Sequence, residues 1–158
     1  MSHALKVEVI PLAEVPVTDS ISDVEKNRPV VLVVDDERVI ADTLAIILSR
    51  SGFAAMTAYD GASALEMACV VPPELLLSDV MMGPGIDGTE LAIILIKLFP
   101  DCKVLLFSGH AATSDLLDKA REGGHNFTLL TKPLHPADLL ARITDAFKAR
   151  EPGEAVVA

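Results

Sequence analysis

Short aliphatic runs alternate along most of the chain with longer segments in which apolar residues recur at helical spacing. Aliphatic runs bounded by polar or turn-forming residues are typical of buried strands, whereas apolar residues every three or four positions are typical of amphipathic helices. The pattern predicts strands at residues 30–34, 54–58, 75–78, 104–107 and 127–131. It predicts helices at residues 38–50, 62–70, 88–98, 114–122 and 137–150. Strand and helix therefore alternate in five consecutive units.

Turn-forming residues at the predicted helix ends support this division. Asp60 is placed to cap a helix N-terminus, and Pro136 falls in a first helical turn. Gly52 and Gly123 follow predicted helices as C-terminal stops. Repeated strand–helix units imply parallel strands joined by right-handed crossovers, with helices on both faces of an open sheet. The fold class is therefore α/β, doubly wound, with binding sites expected at the carboxyl ends of the strands.

Chemically reactive residues follow four of the five predicted strands. In chain order they are Asp35 and Asp36, then Asp79, then Ser108 with Gly109, and finally Lys132 with Pro133. Each alone has an ordinary explanation, since acids favour helix N-termini and Ser-Gly and Lys-Pro favour turns. Their joint occurrence at one edge of a parallel sheet predicts a single crevice.

The composition of this crevice predicts phosphoryl chemistry. Three clustered carboxylates repel one another by about 1 to 4 kcal/mol per pair at a surface-like dielectric, so a cation is required. Mg²⁺ prefers oxygen ligands and retains waters that phosphoryl oxygens can replace. With Mg²⁺ and Lys132 neutralising charge, Asp79 can attack phosphorus and form an acyl phosphate. Ser108 is then expected to donate a hydrogen bond to a phosphoryl oxygen, and Gly109 leaves room beside it.

Composition excludes some classes of partner. Apolar residues make up 51% of the chain and aromatic residues only 4%, so the core is predicted to be aliphatic, which suits buried parallel strands. The formal net charge is −10 and basic residues form no cluster. Because binding to a phosphate backbone needs clustered Lys and Arg, we expect no nucleic-acid partner.

Cysteine usage and hydropathy indicate the compartment. Cys69 and Cys102 have neither metal-ligand nor CxxC spacing, and we interpret them as free thiols in a reducing environment. No apolar run reaches the roughly 20 residues that a membrane span needs. The N-terminus also lacks the basic and apolar regions of a signal peptide. We therefore expect a cytoplasmic protein with no membrane partner.

The same patterns divide the chain into an extension at residues 1–28, a domain at residues 29–150 and a tail at residues 151–158. The extension is either flexible or forms a short strand at residues 5–10 that docks on the domain or on a partner. The flanking segments are too short for an output domain, which predicts a stand-alone phosphoacceptor that acts through another protein.

Four motifs carry a resemblance to a known family. VLVVDDE ends at Glu37, LLLSDVMM surrounds Asp79, LLFSG ends at Gly109 and LLTKP ends at Pro133. In order, type and spacing they are similar to the receiver domain of two-component response regulators, over about residues 29–150. The resemblance implies a flavodoxin-like five-stranded sheet in the order 2-1-3-4-5.

The resemblance also implies a function and a role for each site residue. It implies phosphotransfer to Asp79 from a histidine kinase or phosphotransfer protein, with Mg²⁺ as cofactor and Mn²⁺ as an alternative. The protein would not be an enzyme apart from this self-catalysed transfer and slow autodephosphorylation. The implied roles are direct metal ligands at Asp36 and Asp79, a backbone carbonyl ligand at Met81, a water-mediated ligand at Asp35, a switch hydroxyl at Ser108, phosphate contacts at Gly109, and a phosphate-pairing amine at Lys132. The Lys132–Pro133 bond is similar to one that is cis in the family.

Three features depart from the family pattern. The loop at residues 82–88 is one residue longer than usual, and the segment at residues 123–127 is also long. Leu129 occupies the position where receivers commonly carry an aromatic residue that turns inward when the switch hydroxyl engages phosphate. Phe127 is a candidate substitute from a shifted position.

Other interpretations remain open at this stage. A degenerate receiver would bind proteins independently of phosphorylation, and an aspartate-nucleophile phosphohydrolase would turn substrate over, although Met81 stands where the latter needs an acid. The helix at residues 88–98 is apolar nearly all round, which suggests a surface for an unknown downstream protein or a second copy of the chain. His110 is interpreted either as a solvated loop histidine or as a modulator of water access to the acyl phosphate.

Overall fold

Strands and helices alternate along residues 27–109 and 113–148, which are the residues that this computed structural model describes. The strands are β1 Val30–Val34, β2 Ala54–Ala58, β3 Leu75–Asp79, β4 Lys103–Ser108 and β5 Thr128–Thr131. The helices are α1 Arg38–Arg50, α2 Gly61–Val70, α3 Gly88–Leu98, α4 Thr113–Glu122 and α5 Pro136–Lys148. Predictions for most of the extension, for His110, for residues 149–150 and for the tail fall outside the described residues.

All neighbouring strands are parallel and follow the order β2-β1-β3-β4-β5. This order confirms the flavodoxin-like topology. β1 and β3 are central, so both of their faces must be covered by helices, and their residues are almost entirely buried. Continuous aliphatic runs are the expected sequence of such strands.

Alternate residues of each strand point to opposite faces of the sheet, and two core clusters result. One contains Val31, Val33, Leu75 and Leu77 with Leu44 and Leu48 of α1 and Leu139 and Ile143 of α5. The other contains Leu32, Val34, Leu76 and Leu106 with residues of α2 and α3 that include Ala64, Ala68, Leu91 and Leu95. Helices therefore cover both faces, as predicted.

The helix ends follow the local signals with small differences. Asp60 caps α2 by accepting a hydrogen bond from the Ser63 N–H at 2.7 Å, and Pro136 is the first residue of α5. Gly52 follows α1 with a φ of +97°. After α4 the positive φ belongs to Gly124 rather than Gly123, at +89°, so the left-handed residue lies one position later than the stop that we predicted.

Helix α3 buries one face and leaves part of its surplus apolar surface accessible. Leu91 and Leu95 lie in the second core cluster, whereas Leu98 at the end of the helix is exposed. Among the helices of residues 27–109 and 113–148, none combines the length and apolarity that crossing a membrane requires.

Candidate functional site

Three carboxylates meet at the carboxyl edge of the sheet because β1 and β3 are adjacent. Val34 pairs with Ser78, so the residues that follow them, Asp35 and Asp79, are neighbours. Asp36 comes next along the chain, and one oxygen of each of the three side chains lies within 4.8 Å of the others. Asp35 is fully buried and Asp79 is only 4% exposed, whereas Asp36 is exposed.

Lys132 brings a cation to two of these carboxylates from the loop after β5. Its Nζ lies 3.1 Å from Asp79 Oδ2 and 3.4 Å from Asp35 Oδ2, and 5.1 Å from the centroid of the Phe107 ring. The Lys132 backbone N–H donates to the Ser108 carbonyl at 3.1 Å, which fixes the loop against β4. The Lys132–Pro133 peptide bond is cis, as the resemblance implied.

Burial sets the electrostatics of the cluster. It raises the pKa of Asp35 to about 6, although the Glu37 N–H, at 2.9 Å, favours the charged form. Burial also raises the pKa of Asp79, and the hydrogen bond and charge of Lys132 offset this only in part. For Lys132, burial lowers the pKa but Asp79 and Asp35 outweigh it, so its pKa is raised and the ammonium stays charged. One ammonium therefore neutralises only part of the negative charge of the three carboxylates.

This donor set fits a hard divalent cation. Carboxylate oxygens are the ligands that Mg²⁺ prefers, and an added cation favours the ionised form of groups whose burial disfavours it. Asp35, Asp36 and Asp79 supply the oxygens. The Met81 backbone N–H lies 3.3 Å from Asp79 Oδ1, which places Met81 beside the cluster, and a ligand role for its carbonyl stays a prediction.

Ser108 and Gly109 lie at the same edge of the sheet. Ser108 is the last residue of β4, is buried, and pairs with Thr131 of β5. Gly109 lies beside Lys132, since a Cβ added to it would sit 3.6 Å from Lys132 Cβ. The structure thus brings Asp35, Asp36, Asp79 and Lys132 together at one edge of the sheet. Met81, Ser108 and Gly109 lie beside them.

The loop between β3 and α3 contacts the site through groups that the sequence pattern did not reveal. The Gly83 N–H donates to Asp36 Oδ2 at 3.1 Å. Asp87 caps α3 by accepting from the Thr89 and Glu90 N–H groups. The Gly88 N–H donates to the Val80 carbonyl at 2.9 Å, and a Cβ at Gly88 would collide with the backbone carbonyl of Asp79. The Asp-Gly pair before an apolar helix was the available signal for this close approach.

Tyr59 supplies a polar group at the end of β2, where the sequence indicated none. Its hydroxyl donates to Asp42 Oδ1 at 2.6 Å, and the Arg38 guanidinium carbon lies 4.2 Å above its ring centroid. Arg38 and Asp42 are four residues apart on α1 and so share one face of that helix. This spacing was visible in the sequence, but the contact of both residues with Tyr59 at the end of β2 was not.

An apolar groove adjoins the crevice on the side of Lys132. Its volume is about 630 Å³. Its lining residues come from α1 and the segment from β5 to α5, and they are Val39, Ile40, Thr43, Leu44, Ile47, Lys132, Pro133, Leu134 and Pro136. Val39 is 79% exposed, so the groove presents accessible apolar surface, and it adjoins the carboxylates through Lys132, which the groove and the carboxylate cluster share.

Leu129 and Phe127 occupy different environments. Leu129 lies on the edge strand β5 opposite Leu106 and is 38% exposed. Phe127 precedes β5, stacks on His125 with ring centroids 5.8 Å apart, and packs against the second core cluster. Phe127 therefore lies outside the strand, and β5 begins at Thr128, one residue later than predicted.

The fold and the site together define a class of protein. A parallel 2-1-3-4-5 sheet with three carboxylates and a lysine at its carboxyl edge is the arrangement of a phosphoacceptor receiver. The family model for the response regulator receiver domain matches residues 31–144, and the chain belongs to this family. It is a receiver domain of the two-component response regulators.

Individual relatives agree with this assignment. The response regulator MprA of Mycobacterium tuberculosis strain H37Rv is 32% identical over 125 residues, which cover 79% of this chain and 53% of MprA. The Mycobacterium leprae MprA is 33% identical over 125 residues, covering 79% of this chain and 54% of that protein. The chain thus spans about half the length of the curated relatives that it matches.

Solved structures of response regulators and receiver domains are also similar to this chain. A CheY-like response regulator receiver domain protein from Methanospirillum hungatei is 28% identical with a TM-score of 0.67, covering 77% of this chain and 94% of that one. The response regulator TrrA from Thermotoga maritima, solved in complex with Mg²⁺-BeF, is 28% identical with a TM-score of 0.64. That match covers 75% of this chain and 98% of TrrA.

Proposed function

We propose that this receiver accepts a phosphoryl group on Asp79 from a histidine kinase or a phosphotransfer protein, with Mg²⁺ bound, and signals through phosphorylation-dependent binding of another protein. The observation that carries the proposal is the position of Asp79. Its carboxylate belongs to a cluster of acids that needs a cation, and it also lies 3.1 Å from the Lys132 ammonium. The surroundings can therefore compensate its phosphorylation. Asp35 shares both contacts, with Lys132 Nζ at 3.4 Å, but Asp79 is the one that stands at the phosphoacceptor position of the LLLSDVMM motif.

Each side chain has a role in the proposed transfer. An Asp79 carboxylate oxygen attacks phosphorus, the phosphorus–nitrogen bond to the donor histidine breaks, and the imidazole nitrogen takes up a proton. The Lys132 ammonium pairs with one phosphoryl oxygen, Ser108 donates a hydrogen bond to another, and Gly109 leaves space beside them. These groups position the phosphoryl group and neutralise its charge, and phosphoryl transfer requires little else of a protein.

Mg²⁺ would be held by Asp36 and Asp79 directly, by Asp35 through water and by the Met81 carbonyl, with Mn²⁺ as the alternative ion. When bound, the ion neutralises charge on the phosphoryl oxygens. The undercompensated carboxylates support this assignment. The complex of the relative TrrA with Mg²⁺-BeF supports it as well.

The apolar groove beside Lys132 is the proposed docking site for the phosphodonor protein. A donor must bring its histidine to Asp79, so it must cover the surface that adjoins the crevice. Val39 and Pro133 line that surface, and Lys132 is shared by the groove and the site. Val39→Asp is expected to slow transfer from a protein donor and to leave transfer from a small-molecule donor unchanged.

A second candidate function rests on Leu129. Its aliphatic, partly exposed side chain takes the place of an aromatic switch residue, which favours a platform that binds its partner in either phosphorylation state. Partner binding by Asp79→Asn that equals binding by the phosphorylated wild type would support this alternative.

The direct test is phosphorylation with Mg²⁺ and acetyl phosphate, followed by intact mass spectrometry. The wild type should gain one phosphate that hydroxylamine removes, as expected of an acyl phosphate, and Asp79→Asn should gain none. Asp60→Asn is the matched control, because Asp60 also follows a strand but caps α2 outside the cluster. Equal labelling of the wild type and Asp79→Asn would refute the assignment.

A further inference from the structure

Each carboxylate of the cluster accepts a hydrogen bond from a backbone N–H. Asp35 accepts from Glu37 at 2.9 Å and Asp79 accepts from Met81 at 3.3 Å, each donor two residues further along the chain. Asp36 instead accepts from Gly83 at 3.1 Å, 47 positions away. Its orientation therefore depends on the loop between β3 and α3.

Asp36 has the greatest need of such a donor. Asp35 and Asp79 are buried and contact Lys132, whereas Asp36 is exposed. An exposed carboxylate loses rotamer freedom when it is fixed by a ligand. A hydrogen bond that fixes it beforehand removes part of that loss. Because the Gly83 N–H uses Oδ2 and an ionised carboxylate has about four lone-pair sites, Asp36 retains the capacity to bind a cation.

The loop is held in place by a side chain at its far end. Ile86 packs against the second core cluster. It fills the space left by the missing side chain of Gly61 at the start of α2, since a Cβ on Gly61 would collide with Cγ1 and Cδ1 of Ile86. Ile86 thus fixes the loop to α2 while Gly83 contacts the carboxylate.

We propose that the Gly83 N–H is a positioning group that orients Asp36 for the divalent cation, and that Ile86 in the recess at Gly61 holds the loop that carries it. This inference rests on the proposed Mg²⁺ dependence. Groups that hydrogen-bond to metal ligands typically change metal affinity by about 10- to 100-fold. Loss of the Gly83 N–H should weaken Mg²⁺ binding by about 10-fold, the lower end of that range.

Two substitutions at Gly83 separate the N–H from the shape of the loop. Gly83→Pro removes the donor, and the following Pro84 already biases residue 83 toward the extended backbone that proline can adopt. Gly83→Ala retains the N–H, and its Cβ would sit 3.7 Å from Asp36 Oδ2, an ordinary contact. Isothermal titration with MgCl₂ should give an Mg²⁺ Kd about 10-fold higher for Gly83→Pro and a Kd close to that of the wild type for Gly83→Ala.

A second variant tests the anchor and stands in if Gly83→Pro does not fold. Ile86→Ala should weaken Mg²⁺ binding several-fold, with folding checked by circular dichroism and thermal unfolding. Equal Mg²⁺ affinity in the wild type and all folded variants would overturn the positioning role. Equal weakening by Gly83→Pro and Gly83→Ala, or tighter binding by Gly83→Pro, would overturn it as well. Failure of the wild type to bind Mg²⁺ would instead overturn the proposed metal dependence, and this inference with it.

Discussion

The Lys132 ammonium lies 3.1 Å from Asp79 Oδ2 although the two residues are 53 positions apart. β4 separates β3 from β5, and the lysine side chain crosses it above the ring of Phe107. The ammonium therefore joins the last strand of the sheet to the central one at the point where a phosphoryl group would arrive.

Replacing Lys132 by methionine should slow phosphorylation by about 100-fold, the order found when one preorganised group is withdrawn from charge that develops in a transition state. The rate of phosphate addition from acetyl phosphate, followed by mass spectrometry, measures the effect. Lys97→Met is the matched control, because Lys97 is exposed on α3 away from the cluster. Equal rates for the wild type and Lys132→Met would rule out the lysine's role.

Replacing Gly88 by alanine should impair folding and phosphorylation together. The new Cβ would collide with the Asp79 carbonyl, and overpacking of this kind typically lowers the free energy of unfolding by about 1–3 kcal/mol. Urea denaturation measures the first effect and labelling of the folded variant the second. The Cβ of Gly83→Ala would make only an ordinary van der Waals contact, so this variant should have the same free energy of unfolding as the wild type. A Gly88→Ala variant as stable and as readily labelled as the wild type would contradict this close approach.

The aliphatic core predicts a strong contrast between a buried and an exposed truncation. Leu77 is fully buried in β3, and Leu77→Ala should lower the free energy of unfolding by about 2–5 kcal/mol. Val70 is 81% exposed, and Val70→Ala should change that free energy by no more than about 0.5 kcal/mol. Similar losses in both variants, measured by urea denaturation, would show that the two burial states are misassigned.

Cys102 should make stability fall at alkaline pH. Burial raises the pKa of its thiol from 9.0 to about 11, so the folded state disfavours the thiolate. For an acid with a raised pKa, the stabilising contribution is complete below pH 9.0 and is lost as pH rises through about 11. Thermal unfolding between pH 8 and pH 11 should show this loss in the wild type and a smaller one in Cys102→Ala.

The two cysteines should also differ in reactivity. Cys69 is exposed and Cys102 is buried, so iodoacetamide at mildly alkaline pH should modify Cys69 first. Peptide mapping of the alkylated protein distinguishes the two sites, and Cys69→Ser should remain largely unmodified under the same conditions. Rapid modification of that variant would contradict the burial of Cys102.

Much of the fold was predictable because its signals are local. β1, β2, α1 and α3 have the predicted bounds, since each is a run of one periodicity closed by polar or turn residues. β5 was placed one residue too early because Phe127 reads as a strand aromatic, whereas its ring stacks on His125 outside the ladder. Pattern alone does not distinguish an aromatic residue in a ladder from one that packs beside it.

The site was predictable where the sheet alone determines proximity. Asp35, Asp79 and Lys132 follow strands, and parallel strands bring their carboxyl ends to one edge. The contacts of Gly83 and Tyr59 depend on loop paths and on partners 47 and 17 positions away. No periodicity encodes such paths, so neither contact had a sequence signal of its own.

Tyr59 is the only tyrosine of a chain that contains no tryptophan. Tyrosine emission therefore comes from one ring, which touches Arg38 and hydrogen-bonds to Asp42. A carboxylate that accepts the phenolic proton quenches this emission, and Arg38 is two residues from Asp36. Movement of the first turn of α1, as a cation or a phosphoryl group binds near Asp36, should thus change the tyrosine fluorescence of the protein without any added dye, so Tyr59 is a built-in optical reporter.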